Sequence, residues 1–154
     1  MPRYDWNLVF DCHDPHALAE FWLTALAGYD FPGSDPDGPV GSPPPGFATW
    51  EAWADSMGYP AEGRNLARTI IDTTGRRPDI FFLAVPEGKV AKNRLHLDVK
   101  VSKGLPAEQV RERQDTEAAR LVAAGAAIQE RIDDADGSSH LILADPEGNE
   151  FCVI

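Results

Sequence analysis

Two hydrophobic periods alternate along this chain, and they switch in a fixed order. Residues 6–12 carry the short apolar run of a strand, with Leu8, Val9 and Phe10 at its centre. A helix start follows at once: Asp14 suits an N-cap and Pro15 the first helical position. Leu18, Phe21, Trp22, Ala25 and Leu26 then recur at helical spacing, and Gly28 reads as the stop. From Phe31 to Gly46 the chain is rich in Pro, Gly, Ser and Asp and predicts a surface loop. Residues 47–50 predict a short strand, and 51–58 a helical turn carrying Trp53 and Met57. Strands are predicted over 67–72 and 80–85, with a turn at 74–78 between them.

The order then restarts. Residues 94–101 predict a strand, and Pro106 opens a helix running to about Ala124, with Val110, Ala118, Leu121 and Val122 on one side. Three strands follow at 127–132, 140–144 and 150–154, and Asp136-Gly137 and Glu147-Gly148-Asn149 signal the hairpins between them. Short matches support a duplication: Leu8 to Asp11 resembles Leu95 to Asp98, and Ala25 to Gly28 resembles Val122 to Gly125. The predicted fold class is therefore α+β, built from two βαβββ modules over 1–90 and 91–154 that together make one domain.

Two polar residues stand out in this pattern. His96 lies in the alternating stretch 92–99, and Glu150 opens the last strand. Side chains alternate across a strand, so Leu95, Leu97, Val99, Phe151 and Val153 are expected to face the core. His96, Asp98, Glu150 and Cys152 are then expected to share the other face. An imidazole and a carboxylate turned into one cavity make half of a metal site.

Composition narrows the function classes. Fourteen Lys and Arg oppose 25 Asp and Glu, a formal charge of -11, which repels phosphate backbones and argues against nucleic-acid partners. No apolar run approaches the ~20 residues of a membrane span. Residues 1–5 are not followed by an apolar signal core, so a cytoplasmic location is expected. The two cysteines, Cys12 and Cys152, read as thiols that pack as small apolar groups, and no Cys-x-x-Cys pair or phosphate-binding Gly-rich fingerprint is present.

Three stretches carry a family resemblance: Phe10 to Trp22 with its Asp14-Pro15 start, Val85 to Asp98 with His96, and Asp145 to Cys152 with Glu150. Together they span nearly the whole chain in the order of the vicinal oxygen chelate superfamily, and their wording is closest to its bacterial glyoxalase-like domain branch. The resemblance implies curved mixed sheets enclosing a cavity. It implies much less about activity, because that fold hosts lyases, isomerases, dioxygenases, transferases and simple binders. In metal-dependent members each unit supplies one ligand from its first strand and one from its fourth. The second-unit positions match His96 and Glu150. The first-unit positions fall on Val9 and near Leu83, which cannot ligate. A second register, matching 83–88 to 143–148, moves the latter to a different strand.

Three readings of His96 and Glu150 stand open: a divalent metal site (Zn, Ni, Mn or Fe), a hydrogen-bonded polar pair, or a metal-free catalytic pair. In the last, burial would raise the Glu150 pKa for general-base work. His13 and His16 belong to the turn and first helix, while His140 begins a strand. Asp98 and Asp11 are the next ligand-binding candidates, and the duplication alone also accounts for them. Trp50 and Trp53, with Phe47, Met57 and Tyr59, are read either as core or as an apolar ligand wall with the Pro-rich loop as a lid. The leading reading is a small-molecule binder with incomplete metal ligation. The alternative is a divalent-metal-dependent lyase or isomerase acting on an oxygen-rich metabolite. A homodimer is compatible with either, and no cationic cluster supports glutathione use.

Overall fold

A computed structural model describes residues 6–154; residues 1–5, on which the expected cytoplasmic location partly rests, lie outside the described residues. The chain divides into two compact units, Met1–Gly88 and Lys89–Ile154. Each is a four-stranded mixed sheet, with two helices in the first unit and one in the second, and neither sheet closes on itself.

The first unit runs β1 (Leu8–Cys12), α1 (Pro15–Ala25), β2 (Tyr29–Asp30), α2 (Trp50–Ser56), β3 (Ala67–Asp72) and β4 (Ile80–Ala84). The sheet order is β1-β4-β3-β2, with β1 parallel to β4 and the other pairs antiparallel. The helix start is built as its sequence predicts: the Asp14 carboxylate accepts from the N–H groups of His16 and Ala17, each at 3.1 Å. Those helix N–H groups, with Asn65, hold the Asp14 carboxyl below its ordinary pKa. The apolar face of α1 buries Leu18, Ala19, Phe21, Trp22 and Ala25. Phe10 completes the layer beneath it, its ring centroid 5.3 Å from Trp22 and 5.5 Å from Phe82. Phe10, Cys12, Phe82 and Ile70 therefore lie on the α1 side of the sheet. Val9, Asp11, Phe81 and Leu83 occupy the opposite face by the period of two. Gly28 ends the α1 turn at φ +80°, a conformation that disfavours a Cβ.

One expectation fails in this unit. Residues 47–50 form no strand. Thr49 is the N-cap of α2 instead, its hydroxyl accepting from the Ala52 N–H at 3.1 Å, so Trp50 begins a helix. The second strand of the unit is the pair Tyr29 and Asp30, too short for a period to show in sequence. The segment 31–46 contains no helix or strand, as expected, but it is tied down. The Asp30 carboxylate accepts from Phe31 N, Ser34 Oγ and Gly41 N at 2.7–2.9 Å, and the Trp50 indole donates to the Gly41 carbonyl at 2.9 Å.

The second unit runs β5 (Asp98–Val99), α3 (Ala107–Ala123), β6 (Ala127–Asp133), β7 (Ser139–Ala144) and β8 (Glu150–Val153). Its order, β5-β8-β7-β6, again sets the first strand parallel to the fourth. Leu121, Leu141, Leu143, Phe151 and Val153 are its core. Val122, expected on the packed side of α3, is exposed, and Gln114 and Glu117 point inward instead. Gln114 is tolerated there because its amide donates to the Ser139 carbonyl at 2.6 Å and accepts from Arg131 and the Ser139 hydroxyl. The strand expected over 94–101 contracts to Asp98 and Val99. Leu95, expected in the core, is exposed.

Candidate functional site

In the second unit β8 fixes Glu150 at its start and Cys152 two residues on, and β5 sets Asp98 directly opposite Cys152. Continuing that parallel register by two residues would place His96 opposite Glu150. The chain departs from the strand before that point. The Leu97 carbonyl still accepts from Cys152 N at 2.9 Å, but the N–H of Asn93 goes to the Glu150 carboxylate at 3.0 Å. Lys89 Nζ lies 3.1 Å from the same carboxylate and also donates to the Ala91 carbonyl at 2.9 Å.

These partners decide the charge on Glu150. The Asn93 N–H, opposed by burial and supported by Lys89, pulls the carboxyl down to about 2. The elevated pKa expected of a buried general base is therefore not found, because two donors outweigh desolvation. Glu150 is an anion, with one carboxylate oxygen accepting from Lys89 and the other from Asn93.

His96 has a different neighbour. Its Nε2 lies 3.5 Å from Asp98 Oδ1, and the donor atoms of His96, Asp98 and Cys152 all fall within 4.8 Å of one another. Glu150 is not in this group. Burial, reinforced by the Asp98 carboxylate, pushes the Cys152 thiol up, so it remains protonated near neutral pH. His140 sits apart, its Nδ1 3.7 Å from Asp134 Oδ2, and His13 and His16 belong to the first unit.

In the first unit the positions answering to His96 and Glu150 carry no donor, although Asp11 answers to Asp98. Asp11 pairs with Leu83 as Asp98 pairs with Cys152, and Val9 pairs with Phe81. If Asp11 is the counterpart of Asp98, then Leu83 answers to Cys152 and Phe81 to Glu150. On that register the fourth-strand position falls on Phe81, two residues from Leu83, and neither side chain can bind a metal. Val9 and Leu83 are 53% and 38% exposed, with the exposed Asp11 between them on the face away from α1. Neither Val9 nor Phe81 offers an atom that could ligate a metal.

Trp50 and Trp53 form part of a continuous aromatic series. Phe31–Trp50, Trp50–Trp53 and Trp53–Tyr59 ring centroids are separated by 5.6, 5.5 and 5.7 Å, the first two pairs nearly perpendicular. They divide two hollows. One, about 230 Å³, is bounded by Phe31, Trp50, Trp53, Thr69 and Phe81 at the edge of the face that carries Val9 and Asp11. The other, about 610 Å³, opens on the α1 side. Phe47 and Met57 line neither. Sequence reasoning missed Lys89 and Asn93 as partners of Glu150, since a loop lysine and a loop N–H carry no periodic signal. It also missed Arg68, whose one signal is a cation among the apolar positions of β3.

Two βαβββ units, each with its first strand parallel to its fourth, define the vicinal oxygen chelate fold. The model of the family described as "Glyoxalase-like domain" matches residues 7–154, and the chain belongs to that family. Among solved structures it is similar to a glyoxalase/bleomycin resistance protein/dioxygenase family enzyme from Burkholderia phytofirmans PsJN. The TM-score is 0.55 at 16% identity, covering 96% of this chain and 94% of that one. It is also similar to a possible glyoxalase from Bacillus cereus, with TM-score 0.56, 14% identity and 99% of each chain covered. A third is a mutant of the fosfomycin resistance protein FosX from Listeria monocytogenes, complexed with Mn(II) and 1S,2S-dihydroxypropylphosphonic acid. Its TM-score is 0.57 at 11% identity, covering 99% of this chain and 92% of that one. At such identities the likeness is one of fold. No curated protein sequence matches the chain. Among the described residues no helix is long and apolar enough to cross a membrane.

Proposed function

We propose that this glyoxalase-like chain binds a small organic molecule without a family-type metal centre. The observation that carries the reading is the clamp on Glu150. The carboxylate that would ligate is held by Lys89 and Asn93, and the positions answering to the ligands in the first unit are Val9 and Phe81. The ligand is expected on the sheet face with Asp11, against the Trp50–Trp53 wall, where apolar surface and a few polar groups coincide. A thermal-shift screen of small carboxylic acids, phosphonates and diols tests it. A hit lost on Trp53→Ala and Asp11→Asn, with His96→Ala and Glu150→Ala still folded, supports the reading. A screen in which every hit requires added divalent metal refutes it.

One observation favours the alternative, a divalent-metal-dependent lyase or isomerase. His96, Asp98 and Cys152 offer the three donors that an open catalytic site requires. The FosX neighbour is complexed with Mn(II), whereas a set containing a thiolate suits Zn(II) or Ni(II) better. Near-stoichiometric metal in protein purified without chelators or a His-tag supports the alternative. Metal-free protein that no divalent ion stabilises against heat eliminates it.

A further inference from the structure

The 610 Å³ hollow on the α1 side of the first unit is of a size that takes a small ligand, and neither reading above uses it. Its lining includes the aromatic residues Trp50, Trp53 and Tyr59 and the carboxylates Glu20, Glu51 and Glu62. Most other charged groups lining it are already engaged. Asp14 caps α1, and Arg64 binds Asp55 at 2.7 Å and the Tyr59 carbonyl. Arg68 lies with its guanidinium 4.8 Å from the Phe31 ring centroid and 5.1 Å from that of Trp50. It also donates to His16 Nε2 at 2.6 Å, which fixes that nitrogen as the acceptor, because arginine cannot accept.

Glu20, Glu51 and Glu62 have no ion-pair partner within 4.0 Å among the described residues, although Glu20 and Glu51 lie in the field of Arg68. The hollow thus combines surplus negative charge with aromatic walls set at steep angles, 87° between Trp50 and Trp53 and 53° between Trp53 and Tyr59. Ring faces attract cations, and Arg68 over Trp50 is an internal example. An anion would be repelled by the three carboxylates in the lining. Arg68 Nε, which has no hydrogen-bond partner, is buried away from solvent.

We propose that this hollow binds an organic cation, an amine or quaternary ammonium with an apolar body. Trp53 and Tyr59 take the charged head, and Glu51 with Glu20 and Glu62 supply the counter-charge. The site lies on the opposite side of β3 from the sheet face considered above and shares with it Trp50, Trp53 and Arg68, whereas Glu20, Glu51, Glu62 and Tyr59 belong to this hollow alone. The net charge of -11 further favours cationic partners.

The test is isothermal titration of the whole chain with benzyltrimethylammonium, its neutral isostere neopentylbenzene, and benzoate. The cation is expected to bind saturably and at least about tenfold more tightly than either comparator, since a desolvated cation–aromatic contact is worth about that factor. Raising the salt is expected to weaken it. Trp53→Ala should remove most of the binding. Glu51→Gln and Glu62→Gln, exposed changes that leave the fold intact, should each weaken it several-fold. Equal affinity for the neutral isostere or benzoate, no saturable binding of the cation, or indifference to both Glu→Gln changes would overturn the proposal.

Discussion

Lys89 Nζ stands 3.1 Å from the Glu150 carboxylate, so the second residue of a family-type ligand pair is held as an anion by its own chain. The larger contribution comes from the Asn93 N–H, with Lys89 adding to it. Lys89→Met should therefore raise the Glu150 pKa from about 2 part of the way toward 4.5, while Asn93 still holds it below that value. Titration of the Glu150 side-chain carbon by NMR measures this. An unchanged value would mean that the lysine contact is not maintained in solution.

The same clamp gives a pH dependence with a defined sign. Glu150 has a depressed folded-state pKa, so its contribution to stability is complete above 4.5 and is lost as pH falls through about 2. Wild type should be more stable than Glu150→Gln at pH 7, and the gap should close between those two values. Urea denaturation of both proteins at several acidic pH values tests it. A constant gap across the window would place the effect outside Glu150 ionisation.

Elements whose signal is local were legible in the sequence. Asp14-Pro15 marks α1 because a cap and a proline act within one turn, and 67–72 reads as β3 because its residues carry their own β-propensity. What failed depends on distant partners. Residues 94–97 alternate as a strand should, yet the Asn93 N–H is committed to a carboxylate 57 residues away. Gln114 breaks the apolar face of α3, and only the Ser139 and Arg131 contacts explain why it is buried. His96 and Glu150 were recognisable as notable residues, but their actual partners, Asp98 for one and Lys89 with Asn93 for the other, follow from loop paths that have no period.

The core of the first unit should be sensitive at Trp22, which is 1% exposed and packs its ring against Phe10 and Phe21. Trp22→Ala is expected to cost ~3–5 kcal/mol, whereas Val9→Ala, on the exposed face of β1, should stay within about 0.5 kcal/mol. Chemical denaturation separates the two. A large loss at Val9 would show that its face is packed in solution and closed to ligands.

The metal question reduces to which donors hold an added ion. His96, Asp98 and Cys152 converge, and Glu150 is spoken for, so any Zn(II) or Ni(II) the chain takes up should depend on Cys152 and His96. Binding requires the thiol to ionise, and burial with the adjacent Asp98 opposes that, so uptake should rise with pH and release a proton. Metal content after loading and desalting, measured on wild type, Cys152→Ala, His96→Ala and Glu150→Gln, distinguishes the donor sets. Loss in the first two variants with retention in Glu150→Gln is expected. Retention in Cys152→Ala with loss in Glu150→Gln would instead mean that the Lys89 clamp opens and the family-type pair of His96 and Glu150 does the binding.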